Sequence, residues 1–169
     1  LSLLFVKIPL VNPDAFLVRT LPLVRWLFSW VGLGLWLAVV GWGLKTGVDN
    51  WGALWRQSQS VLAPGNLAWL YAAMIGLKLL HEMGHAYACR QFGGPVPTLG
   101  VMLLIFSPLP FVDATAAWSF RSRWQRVAVG AAGMIVEIFL AAIAMVVWAA
   151  TGPGVVHSVA YNLIFIASV

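Results

Sequence analysis

LKLLHEMGHAYACRQFGG, residues 77–94, is the stretch from which the rest of the chain is read. Inside it, His81-Glu82-Met83-Gly84-His85 has the form H-E-x-x-H within an apolar run from about Asn66 to Phe92 that Gly93-Gly94-Pro95 stops. On a helix, residues four apart are offset by about 40° around the axis and ~6 Å along it, so both imidazoles reach one metal ion. Glu82 stands beside them, placed to polarise a bound water without needing to be a ligand itself. Zinc lowers the pKa of such a water to about 7, and a neighbouring carboxylate takes its proton as hydroxide attacks a carbonyl. A shuffled chain with three His and two Glu would contain the pattern roughly 0.0006 times.

The surroundings of this motif are those of a membrane protein. Of the 169 residues, 62% are hydrophobic and 9% charged, whereas a soluble domain is about half apolar and a quarter charged. So few charges leave too little polar surface to face water, and lipid becomes the expected solvent. A spanning helix needs about 20 mostly apolar residues, which gives expected spans at about 23–44, 66–92, 127–150 and 155–169 onward. The fold class expected is an all-α polytopic membrane protein with about four transmembrane helices. A loop carrying Lys45, Asp49, Arg56 and Pro64-Gly65 separates the first two spans, with Trp51 and Trp55 at the headgroup level. Val101–Phe106 is apolar but fenced by Pro95, Pro97, Pro108 and Pro110. Too short to cross as a helix, it is expected to form a strand or re-entrant hairpin between the second and third spans. The first ten residues, interrupted by Lys7 and Pro9, are neither a span nor a signal peptide. The chain starts without Met and ends inside an apolar run. Residues 1–169 are therefore expected to be a single membrane-embedded domain and an incomplete fragment of a longer protein.

The net charge of +5 does not point to nucleic acid, because Lys and Arg are scattered at helix ends as topology determinants. Seven basic residues (Lys7, Arg19, Arg25, Arg90, Arg121, Arg123, Arg126) lie on one side of the expected spans and two (Lys45, Arg56) on the other. The positive-inside rule then places the N-terminus in the cytoplasm, with positions 81–85 inside the bilayer near its cytoplasmic face. One cysteine, Cys89, excludes an internal disulfide framework and a Cys-based zinc knuckle.

A catalytic zinc has three protein ligands and an open position. Asp113 either returns toward the metal or caps the turn Asp113-Ala114-Thr115-Ala116. Cys89 is separated from His81 by ~12 Å of helical rise, too far to share the ion. His157 opens a span on the opposite side and is read as an interfacial residue. Lys78 and Glu137 each lie ~17 Å below the same face. Equal depth and opposite sign suggest a structural pair; the sharper alternative turns Glu137 toward the metal site to hold water or substrate. Gly130 and Gly133, among alanines, let the third span approach a neighbouring helix closely.

With these residues in view the chain resembles the site-2 protease family of intramembrane zinc metallopeptidases. The resemblance rests on residues 77–94, on GVMLLIFSPLPFVDATAAW (100–118) and on RWQRVAVGAAGMIVEIF (123–139). Together they are similar to the bacterial branch often fused to a membrane-fusion-type adaptor and linked with peptide or secretion systems. The resemblance implies zinc held by His81 and His85, Glu82 as general base, and a strand or hairpin near the metal where an unwound substrate pairs by strand addition. It also implies a bacterial inner-membrane location, a membrane-protein or peptide substrate, and an adaptor partner. In that family the third ligand is an aspartate in a later Asp-Gly motif preceded by Asn and Pro. No such motif occurs before Val169, so it is expected just beyond. Where family members often carry Asn, this chain has Glu137.

Two further classes stand beside the protease. A non-catalytic membrane scaffold of an export or maturation assembly would not need hydrolysis. A metal transporter is disfavoured because only one compact metal motif lines the expected interior.

Overall fold

The structure, a computed structural model, describes residues 5–104 and 107–168. Ile105 and Phe106 of the expected hairpin, and Val169 of the expected fourth span, lie outside the described residues. The chain forms two compact units, one from the residues up to Ser29 with Lys78–Val136, the other from Trp30–Leu77 and from Glu137 onward.

The first unit is not all helix. Its N-terminal lead is a strand, β1 (Phe5–Val11), which pairs antiparallel with β2 (Leu99–Leu104); β2 pairs antiparallel with β3 (Ser107–Val112), in the order β1-β2-β3. Val, Ile and Phe suit such pleated surfaces, and the β2–β3 ladder runs from Leu99 opposite Val112 to Leu104 opposite Ser107. The strand or hairpin expected between the second and third spans is therefore two strands of a three-stranded sheet. The chain is mostly helical as expected, and what the all-α class leaves out is the third strand, β1. At Gly100 a Cβ would run into the Ile8 carbonyl, so only glycine lets β1 come this close.

After β1, helix α1 (Asp14–Val24) opens with Asn12 Oδ1 accepting from the Asp14 N–H at 2.9 Å, and a 3₁₀ turn follows at Arg25–Phe28. Ser29, extended at ψ 172°, ends that turn. The first long apolar helix thus begins at Trp30, not near Leu23 as its apolar composition suggests. Asp14 Oδ1 accepts from the Val96 N–H at 3.0 Å, and Leu17 is buried with Ala86, Cys89, Val96, Val129 and Ala132. Helix α4 (Leu67–Gln91) stops where the glycines indicate. Gly93 takes φ 85°, Gly94 N–H reaches the Cys89 carbonyl and Gly93 N–H the Arg90 carbonyl, both at 3.0 Å. That is a Schellman closure.

In the second unit, α2 (Trp30–Asp49) and α3 (Trp51–Ser58) take up most of what reads as loop. Lys45 and Asp49 sit one turn apart with Nζ and Oδ2 2.5 Å apart, a pairing that favours helix over loop. The Trp51 and Trp55 rings stack at 6.5 Å on exposed α3 positions. Helix α5 (Arg123–Ala150) starts a turn earlier than the expected third span, and α6 covers Val155–Ser168. Among the described residues two helices, α2 and α5, are long and apolar enough to cross a membrane. Asn66 and Asn162 exchange amide hydrogen bonds at 2.8 and 2.9 Å, with Asn162 buried. His157 bonds carbonyls of Trp148 and Thr151 and the amide oxygen of Gln57, at 3.1, 3.0 and 3.1 Å.

α2 meets α5 at Gly43. A Cβ there would lie 2.7 Å from Ala142 Cα and Cβ and 2.9 Å from its carbonyl oxygen. Gly43→Ala is expected to destabilise the fold by about 1–3 kcal/mol through overpacking. Denaturation beside Gly41→Ala, where nothing lies within 4 Å, checks it; equal stabilities would refute the close approach.

Candidate metal centre

His81 and His85 stand one turn apart on α4, as their spacing requires. Their ring centroids are 4.7 Å apart and their Nε2 atoms 3.0 Å apart. Each is half-buried. The third wall of this pair is α5. His85 Nδ1 lies 2.6 Å from the Val129 carbonyl, which can only accept, so Nδ1 carries the proton and Nε2 presents its lone pair. Metal-binding imidazoles hold their second nitrogen in this manner. One turn further along α5, a Cβ at Gly133 would lie 2.5 Å from both Nε2 atoms. Glycine therefore leaves the space in front of the two nitrogens clear.

These observations fit a zinc ion. Two nitrogen ligands of a tetrahedral zinc stand about 3.3 Å apart for bonds of about 2.0–2.1 Å, within a few tenths of the observed spacing. The donor set is half of what such an ion needs. Among the described residues no group of three His, Cys, Asp or Glu could hold a metal.

Asp113 is engaged elsewhere. Its Oδ1 accepts from the Thr115 hydroxyl at 2.6 Å and the Thr115 N–H at 3.1 Å. Those bonds, from the Thr115 hydroxyl first, hold its carboxyl below the usual carboxylate range. This is the turn-capping arrangement. Cys89 is buried in the first unit's core with Sγ 4.0 Å from the Pro95 carbonyl, and His157 belongs to the second unit. Lys78 and Glu137 are half-buried, on α4 and α5 respectively.

Glu82 has a partner that its motif does not announce. Its Oε2 accepts from the Val112 N–H at 2.9 Å, at the end of β3. Asp113, the next residue, donates its N–H to the Thr98 carbonyl at 2.8 Å and so continues the ladder toward β2. Alternation along a strand then turns Val112, Pro110 and Pro108 toward the outer edge of β3. That edge lacks N–H groups at both prolines, and the Val112 donor is taken by Glu82. Carbonyls are what it has left to offer.

Beside His85 lies a cavity of about 290 Å³ lined by Ala114, Ala117, Trp118, Arg126 and Gly130. Sequence reasoning reached Gly133 only as a small residue for close packing. It missed the Val129 carbonyl and the Val112 N–H, because backbone groups leave no mark in residue identity. It counted Arg126 only as a topology charge.

Compared with known proteins, residues 69–168 match the model of peptidase family M50. No curated protein and no solved structure matches the chain.

Proposed function

The chain belongs to peptidase family M50, the site-2 protease family, and from that premise we propose that it is an intramembrane zinc metalloprotease acting on membrane-embedded or membrane-associated peptides. The observation that carries this reading is the pair of Nε2 atoms 3.0 Å apart with Gly133 leaving the space before them open. His81 and His85 would hold the metal. When bound, zinc supplies a Lewis acid that makes water nucleophilic near neutral pH. Glu82, adjacent to His81 and held by Val112, takes the proton of the attacking water and delivers it to the leaving amine.

The outer edge of β3 supports a substrate unwound into a strand. Such a strand donates its N–H groups to the Pro108 and Pro110 carbonyls, while the missing proline donors discourage pairing between two copies of the same edge. In this reading α4 and α6 join α2 and α5 as four membrane spans of a bacterial inner-membrane protein with a cytoplasmic N-terminus. Large exposed side chains such as Trp30 and Val31 on α2, and Met134 and Ile138 on α5, suit a lipid surround. A fused or associated adaptor of a secretion system is the partner proposed, beside the lipid bilayer itself.

The lack of a third ligand among the described residues favours one competitor, a membrane scaffold that performs no hydrolysis. Zinc stoichiometry separates them. The detergent-purified chain, or a form extended past Val169, is expected to hold near-equimolar zinc, and His81→Ala to lose it with helical content retained. Zinc in the extended form alone would put the third ligand downstream. Folded protein without zinc in both forms would remove the protease and leave the scaffold.

A further inference from the structure

Arg126, Val129, Gly130 and Gly133 share one face of α5 at helical spacing, and that face carries more than the two histidine contacts. Val129 and Gly133 meet His85 and the Nε2 pair, while Gly130 and Arg126 line the cavity that opens beside His85. The cavity's other walls are Ala114, Ala117 and Thr115, whose hydroxyl is taken by Asp113, with Trp118 exposed at its rim. Arg126 is half-buried. One of its N–H groups donates to the Phe120 carbonyl, which steadies the side chain. No carboxylate pairs with its guanidinium among the described residues. A steadied guanidinium with donors to spare, in a small pocket that includes His85, is built to receive an anion from whatever lies across the histidines.

We infer that this cavity is a specificity subsite in which Arg126 binds an acidic side chain of the substrate, Asp or Glu, close to the cleaved bond. The inference rests on the proteolytic reading and adds a substrate preference to it. Seven residues of α5 separate Arg126 from Gly133, a rise of ~10 Å. An extended peptide covers that distance in about three residues at ~3.3 Å each. The acid therefore sits within about three residues of the bond placed at the histidines. A planar guanidinium donates to both oxygens of a carboxylate, which a lysine cannot reproduce.

The test uses binding, so that it does not depend on turnover. Short Leu/Ala-rich fluorescein-labelled peptides carry a single Glu moved stepwise along the sequence, each paired with its Gln counterpart. Anisotropy is read on the full chain carrying Glu82→Gln, with zinc present. At one register the Glu peptide is expected to bind about tenfold more tightly than the Gln peptide, the scale of a charge-assisted hydrogen bond. Arg126→Gln should erase the difference, Arg126→Lys should keep part of it, and Arg126→Glu should transfer the preference to a peptide with Lys at that register. Equal binding of Glu and Gln peptides at every register overturns the subsite. So does an Arg126→Gln effect of the same size on both peptides, which would leave Arg126 a purely structural contact to Phe120. Equal peptide binding together with release of anionic phospholipid from Arg126→Gln would assign the guanidinium to a headgroup and also overturn it. Cleavage without preference by the unsubstituted protein sinks the subsite alone, whereas preference in binding without any cleavage sinks the proteolytic reading alone.

Discussion

Glu82→Gln should lower peptide hydrolysis by about 10²–10⁴-fold, the usual contribution of a positioned general base, with zinc still bound. The substitution is unusually clean here because of the Val112 contact. Glu82 Oε2 accepts the Val112 N–H at 2.9 Å, and a glutamine carbonyl oxygen at the same place still accepts it. The end of β3 therefore stays where it is, the two histidines are untouched, and what is removed is the carboxylate's charge with its proton-accepting capacity. Glu82→Ala, by contrast, leaves a half-buried N–H unsatisfied and loosens the strand edge, at about 1–3 kcal/mol. A gap between these two variants in the stability of the folded chain would report the strand contact, and loss of cleavage common to both would report the base. Hydrolysis by Glu82→Gln at the unsubstituted rate would remove Glu82 from the chemistry. It would also return the scaffold reading to the front.

The second large effect comes from a methyl group. Gly133→Ala places a carbon 2.5 Å from Nε2 of both histidines and 2.6 Å from His81 Cδ2, far inside van der Waals contact, so the rings must move. His85 cannot turn away without giving up its bond to the Val129 carbonyl, the kind of supporting contact whose loss alone costs 10–100-fold in metal affinity, as an order of magnitude. Zinc affinity of Gly133→Ala is accordingly expected to fall by at least about 100-fold, and cleavage with it, while circular dichroism still shows the helices. Gly130→Ala is the control for metal binding. Nothing lies within 4 Å of a Cβ there, and alanine is favoured over glycine inside a helix by about 1 kcal/mol. Its zinc occupancy should match that of the unsubstituted chain. Titration with a competing chelator reads both. Undiminished zinc in Gly133→Ala would mean that the ion, if bound, is not between these two nitrogens.

Much of this was legible before any fold was known. H-E-x-x-H needs only the 3.6-residue turn to bring His81 and His85 to one side of a helix, and α4 runs from Leu67 to Gln91 as its apolar stretch and its Gly93-Gly94 stop require. Family membership follows from the same residues. The length of the apolar runs also located α5 and α6 to within a turn of their starts, because a spanning helix needs about 20 mostly apolar residues. It did less well at Ser29 and between Lys45 and Ser58. There the apolar content changes gradually, whereas one extended residue makes the break at Ser29, and α2 and α3 run on through the polar positions after Lys45.

Tertiary structure decided what the motif faces. The Val129 carbonyl reaches His85 from 44 positions away and the Val112 N–H reaches Glu82 from 30. Both are main-chain groups: every residue type supplies the carbonyl alike, and every type except proline the N–H. No spacing rule selects them, because which backbone meets which side chain is settled by how helices and strands pack. The same holds for β1, whose seven residues read as an interrupted apolar lead and become a strand only because β2 offers an edge. It holds for Gly133 as well. Composition marks it as small, and only the approach of α5 to α4 makes that smallness the opening in front of two histidine nitrogens.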